Sequence, residues 1–225
     1  ARSCERLWPS GWTRPPERAP AGAGVASERK HHTLYIVCRW TPRSSPTILP
    51  KMDEADLASV DAWLSDGKTL EGLLPPWHEG FAGWYQARWG VLDSSGIENG
   101  ELCFTTKANF SGKSISLMCR QNLVYRVDLV PDDEMKLNPC WAKQYELPQK
   151  VIGSHTHPWR PNREWCRRNG FGQLPCRSPT PRKLASLSQA FAMLADKTNI
   201  TITSQQREIA LPRQGVFSLD GRMKL

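Results

Sequence analysis

The stretch Leu123-Val-Tyr-Arg-Val-Asp-Leu-Val130 alternates with a period of two. Leu123, Tyr125, Val127 and Leu129 fall on one face, and Arg126 and Asp128 on the other. That is the pattern of a β-strand with one buried face, and Pro131-Asp-Asp-Glu134 ends it in an acidic loop. Working outward, Leu102 to Thr106 and Ile115 to Cys119 are shorter β-type runs separated by Asn109-Phe-Ser-Gly112, and Asp93-Ser-Ser-Gly96 marks a turn before them. Downstream, Val151-Ile152 reads as a further short strand entering Gly153-Ser154-His155. Strands that follow one another through brief turns predict an antiparallel meander with one wet face.

Helices flank this meander. Asp53-Glu-Ala-Asp56 places acids in a first helical turn, where the helix dipole favours them. Leu57, Val60 and Leu64, with Trp63 alongside, recur at helical spacing, and Gly67 is a stop signal, so a helix is expected over 53–66. Thr180-Pro181 supplies an N-cap and a first-turn proline, and Leu184, Leu187, Phe191 and Leu194 form a stripe, so a second helix is expected over 182–197. Ile200-Thr-Ile-Thr203 would add an edge strand. Trp77, Phe81, Trp84, Tyr85 and Trp89 are assigned to the core, because Arg88 is the sole basic residue interleaved with them. The expected fold class is α+β: a single domain over 52–225, with an antiparallel β-meander between an N-terminal and a C-terminal helix.

Residues 1–51 differ in kind. They hold nine Lys/Arg against three Glu, and seven of the chain's 18 prolines. The chain's formal charge of +8 is therefore mostly theirs. Pro and Arg at this density bury too little apolar surface to offset ordering entropy, so a disordered leader is expected, ahead of a true start at Met52. A basic arm for nucleic acid or acidic lipid is the alternative. No run in the chain approaches the roughly 20 apolar residues of a membrane-spanning helix. The seven cysteines form an odd, unpatterned set, which reads as reduced thiols in a cytoplasmic protein. There is no Gly-rich phosphate loop and no Gly-x-Ser-x-Gly.

The residues that carry chemistry lie between 150 and 183. This segment has eight basic residues against one acid, Glu164, and Trp159 and Trp165 stand among its arginines. Read as a basic loop, it suits phosphate contacts by Arg160, Arg163, Arg167 and Arg168 with base stacking on Trp159 and Trp165. Alternatively, these guanidinium groups pair with Asp132, Asp133, Glu134 and their neighbours. The same segment opens with Ser154-His-Thr-His-Pro-Trp159. Two histidines at i and i+2 leaving a strand point to one side, so His155 and His157 would reach one zinc or other divalent ion. Cys166 and Cys176 follow at spacings that match no compact zinc pattern. Without a metal, each histidine would hydrogen-bond to the loop and cap the strand end.

His-Thr-His-Pro resembles part of the metal-binding motif of the JAB/MPN metalloprotease family, which continues with Ser-x-x-Asp. Those two positions are Trp165 and Arg168 here, so the third ligand that the resemblance implies is missing, and Glu101 would stand in for the family's catalytic Glu. Tyr125-Arg-Val-Asp-Leu129, Asn138-Pro139, Ser154-His-Thr-His157 and the helix ending near Asn199-Ile200 resemble a class of small uncharacterised bacterial proteins of prophage and mobile-element neighbourhoods. That second resemblance covers about residues 100–200 and implies a bacterial, cytoplasmic setting without a known activity. Two functions follow as expectations. One is a non-enzymatic accessory or regulatory protein that binds nucleic acid, another polyanion or an acidic protein without a cofactor. The other is a metal-dependent hydrolase, a nuclease or JAB/MPN-like peptidase, built on His155 and His157. A third ligand would separate them.

Overall fold

The structure is a computed structural model that describes residues 53–80, 83–110 and 112–212. The expected leader, the start at Met52 and Phe81 of the aromatic stripe lie outside the described residues. In chain order the elements begin with α1 (Glu54–Ser65), β1 (Thr69–Leu70), β2 (His78–Glu79), β3 (Trp84–Leu92), β4 (Glu98–Lys107), β5 (Lys113–Cys119) and β6 (Asn122–Leu129). They continue with β7 (Met135–Leu137), a 3-10 helix (Cys140–Tyr145), β8 (Lys150–Ile152), β9 (His155–His157), α2 (Trp159–Asn169), β10 (Ser178–Pro179) and α3 (Leu187–Lys197).

The strands form an antiparallel sheet in the order β1-β3-β4-β5-β6-β9-β10, with β2 also pairing to β3, and β7 and β8 make a separate ribbon. The α+β class and the meander from β4 to β6 are as the sequence predicts, while β3 forms over residues that the sequence marked only as an aromatic core stripe. The Asp93 turn forms as expected: the Gly96 N–H donates to the Asp93 carbonyl at 2.9 Å, with Gly96 at φ +77°, a conformation that suits glycine.

α1 starts where Asp53 Oδ1 accepts the Asp56 N–H at 2.8 Å. At its other end Lys68, almost wholly buried, turns its Nζ onto the carbonyls of Trp63, Leu64 and Asp66 at 2.7, 3.3 and 2.5 Å. The ammonium thereby serves acceptors that a helix terminus leaves without partners.

One sheet face is apolar. Ala87, Trp89, Leu102, Phe104, Ile115, Leu117 and Val127 are buried there, and Phe191 of α3 stacks on Trp89 (centroids 5.9 Å) and meets Phe104 edge-on (5.6 Å). The opposite face departs from expectation. Two rows run across β3, β4, β5, β6 and β9 in register: Gln86, Thr105, Ser114, Asp128 and His155 in one, Arg88, Cys103, Ser116, Arg126 and His157 in the other. This face was expected to be wet, yet Thr105, Ser114, Ser116, His155 and His157 are all buried. Polarity survives burial there because the groups serve one another, as Thr105 Oγ1 and Ser114 Oγ do at 2.6 Å.

Other expectations need correction. The last helix begins at Leu187 and not at 182, with Ser186 Oγ accepting the Gln189 N–H at 3.2 Å. Thr180 does not cap it, since its hydroxyl donates to the Ser154 carbonyl at 3.3 Å. Leu184 is still buried in the core. Val151 and Ile152 belong to the β7–β8 ribbon and not to the main sheet. Ile200 makes a single parallel bridge to Lys68 instead of an edge strand. The basic segment is not a loop: it contains β8, β9, α2 and β10.

Candidate metal centre

β9 lies beside β6, with Asp128 opposite His155 and Arg126 opposite His157. Two-residue periodicity then sends all four side chains to the same polar face. Pairing, and not proximity in sequence, thus assembles the group. Asp128, His155 and His157 are buried, and one ligand atom from each lies within 4.8 Å of the others. Asp128 is the third side chain of ligating type beside the histidines, which the sequence analysis did not find. Its signal was present as an acid alternating with buried residues on a strand, but only the β6–β9 pairing places it beside the histidines.

The hydrogen bonds fix which nitrogen faces the centre. His155 Nδ1 meets the Gly153 carbonyl at 2.9 Å, and His157 Nδ1 meets the Leu174 carbonyl. A carbonyl only accepts, so both Nδ1 atoms carry the hydrogen. Gly153, at φ +74°, turns the chain between β8 and β9. Each Nε2 is then turned to Asp128: Oδ2 lies 3.2 Å from His157 Nε2 and 3.6 Å from His155 Nε2. The other carboxylate oxygen, Oδ1, accepts from Arg126 Nε at 2.6 Å.

Burial pushes His155 down to about 4, more than the Gly153 bond and the Asp128 charge raise it, so this ring is neutral near pH 7. Burial acts to raise the Asp128 carboxyl, but the His157 hydrogen bond and the charges of Arg126 and the histidines outweigh it and hold Asp128 well below the usual carboxylate range. An anion therefore faces the bare Nε2 lone pair of a neutral imidazole. A proton on His157 Nε2 would satisfy one of the two contacts. A cation at the centre would satisfy all three ligand atoms.

The two distances from Asp128 suit such a cation, and all three ligand atoms lie within 4.8 Å of one another. Ligands about 2.0–2.1 Å from a tetrahedral zinc lie about 3.3 Å apart, close to the 3.2 and 3.6 Å found here. Ligating histidines typically donate their second nitrogen to a carbonyl or carboxylate, as both rings do. Cys166 and Cys176 take no part. Their thiols are buried and pushed up to about 12, so they remain protonated.

The basic residues are placed otherwise. On α2, Arg163 Nε donates to Asp61 Oδ2 at 2.8 Å and its Nη2 to Glu54, both on α1. Arg167 and Arg168 converge on Glu164 at 2.7 and 2.6 Å, and hydrogen bonds from Arg167, then Arg168, hold that carboxyl down at about 2. Asp132 takes Lys183 instead of these arginines. Arg160 is exposed and has no ion-pair partner among the described residues. Trp159 is buried and stacked on Phe171 (5.7 Å), with Nε1 donating to Asp61 Oδ1 at 2.5 Å. Trp165 stacks on Trp141 at 6.2 Å. The structure thus brings His155 and His157 together and turns most of the basic group toward acids and the core.

Comparison with family models, curated proteins and solved structures gave no match. Trp165 and Arg168, the positions of the missing Ser and Asp, lie on α2, while the acid beside the histidines comes from β6. Glu101 lies on β4 and pairs with Arg88 at 2.8 Å. Two strand spacings, about 10 Å, separate β4 from Asp128 on β6.

Proposed function

We propose that this protein is a divalent-metal hydrolase whose cation is held by Asp128 Oδ2, His155 Nε2 and His157 Nε2. The supporting observation is the convergence of the Asp128 carboxylate with the Nε2 atoms of His155 and His157, whose Nδ1 atoms are both taken up by backbone carbonyls. Two histidines and one carboxylate make a zinc-type donor set, and three protein ligands leave a fourth position for water or substrate. A metal held by these three residues would lower the pKa of bound water and supply a nucleophile at neutral pH. The chain's own contribution is to hold both imidazoles by their Nδ1–H groups and to fix the carboxylate through Arg126. Glu101 and Glu164 are engaged with arginines elsewhere, so no further carboxylate is assigned as a general base.

Elemental analysis of protein purified without chelator or affinity tag tests this. About one equivalent of zinc or manganese is expected, lost in His155→Ala, His157→Ala and Asp128→Ala. A metal-free wild type that also takes up no zinc or manganese on dialysis would overturn it. Polyanion binding by α2 has less support, because acids already face Arg163, Arg167 and Arg168.

A further inference from the structure

The exposure of the four side chains around the centre is graded. The His155 and His157 side chains are 1% and 7% exposed, Asp128 14%, and Arg126 30%. The exposed margin of the group thus lies at Asp128 and Arg126. Arg126 spends only Nε on Asp128, at 2.6 Å, and no acceptor among the described residues bonds to Nη1 or Nη2. Its guanidinium plane is thus anchored at one edge and unengaged at the other.

Resting on the metal reading above, we infer that Arg126 is the specificity-determining residue of the centre, and that its free Nη edge binds an oxyanion, carboxylate or phosphate, carried by the substrate beside the metal's fourth position. The geometry supports this in three ways. Arg126 and the metal would share one carboxylate, Oδ1 with the arginine and Oδ2 with the cation, so a single oxyanion reaches both. Arg126 stands opposite His157 on the same sheet face, and its neighbour on the other side is Ser116, which carries no competing charge. The planar donor edge matches the two oxygens of a carboxylate or phosphate, and partial burial strengthens such a contact relative to one in water.

The test uses the full chain loaded with cobalt(II), with metal content measured first. Inorganic phosphate and acetate are titrated separately while the visible absorption of cobalt is followed. A saturable spectral change is expected, and the anion that produces it at lower concentration identifies the phosphate or the carboxylate class. Arg126→Gln, titrated at its own measured cobalt content, should bind that anion roughly tenfold to a hundredfold more weakly. Arg126→Lys should fall between, since it keeps the charge and loses the planar fork. Should Arg126→Gln load no cobalt, Arg126→Lys takes its place, and a loss of at least threefold supports the assignment. Unchanged affinity in the variant, or a cobalt-loaded wild type that responds to neither anion, overturns the role of Arg126 and leaves the metal centre standing. A wild type that loads no cobalt overturns both, and the metal assay separates that outcome from the others.

Discussion

Acidification of the metal-free protein should weaken it through His155. This ring ionises near pH 4 in the folded chain against an ordinary 6.5, because burial disfavours its charged form. The sign follows from which state takes the proton. Above pH 6.5 the ring is neutral folded and unfolded, so the shift has no effect. Below 6.5 the unfolded chain binds a proton that the folded chain refuses, and stability falls until pH reaches about 4. A displacement of 6.5 to about 4 corresponds to about 3 kcal/mol over the whole window. Asp128, held below the ordinary carboxylate range, stays ionised across it and adds its own loss only at lower pH. The perturbation that isolates His155 is His155→Asn, whose side-chain amide retains a donor for the Gly153 carbonyl and does not titrate. The assay is urea unfolding of chelator-treated wild type and variant from pH 7.5 to 4.5. The variant should be the less stable at pH 7.5, and about 2–3 kcal/mol of the gap should close by pH 4.5. Because Asp128, His157 and Arg177 are present in both chains, their effects largely cancel in the difference. A gap of equal size at both ends would refute the buried, neutral His155.

Further outcomes follow from the same structure. Zinc at about 100 times its Kd should add about 2.7 kcal/mol of stability, a Tm rise of roughly 5–10 °C by scanning calorimetry, absent in Asp128→Ala. Phe191→Ala should cost about 3–5 kcal/mol in urea unfolding, since the ring is fully buried against Trp89 and Phe104. A Cβ at Gly100 would lie 2.4 Å from the Trp63 ring and 2.9 Å from the Met118 carbonyl, so Gly100→Ala should destabilise by about 1–3 kcal/mol on thermal melting. Asp61→Asn weakens the tie of Arg163 and Trp159 to α1, and its cost, about 1 kcal/mol in denaturant titration, should shrink in high salt.

What the sequence disclosed follows from where its signals were local. The alternation over 123–129 identified β6 and placed Arg126 and Asp128 on the face away from Tyr125 and Val127. The acids at 53–56 and the stripe Leu57, Val60 and Trp63 gave α1 within a residue at each end. α2 escaped because its buried stripe is not apolar. Trp159, Asn162 and Cys166 carry the helical period, and Asn162 is buried as a polar clamp, bonding Pro158 and both backbone groups of Cys176. Pro161 also reads as a breaker, although a proline in the first turn removes only an N–H with no intrahelical partner. The start of α3 was misplaced because Thr180-Pro181 has the form of a cap while Thr180 is held by the Ser154 carbonyl.

The three side chains of the candidate centre show the limit of local reading most directly. His155 and His157 were legible as a pair because a strand turns i and i+2 to one side. Asp128 was legible as a polar residue on a strand, but nothing within its neighbours in sequence specifies that β9 pairs with β6, or in which register. A one-residue slip of β9 would turn both histidines to the apolar face, beside Val127, and leave Asp128 with Arg126 alone. The register is held from both sides. Thr156 faces the core between the histidines, opposite Val127, while the Gly153 and Leu174 carbonyls seize the two Nδ1–H groups. These contacts tie the folding pattern to the chemistry: apolar burial on one face of β9 sets the orientation of two imidazoles on the other. A change at Thr156 that shifts the register should therefore abolish metal uptake without touching a ligand.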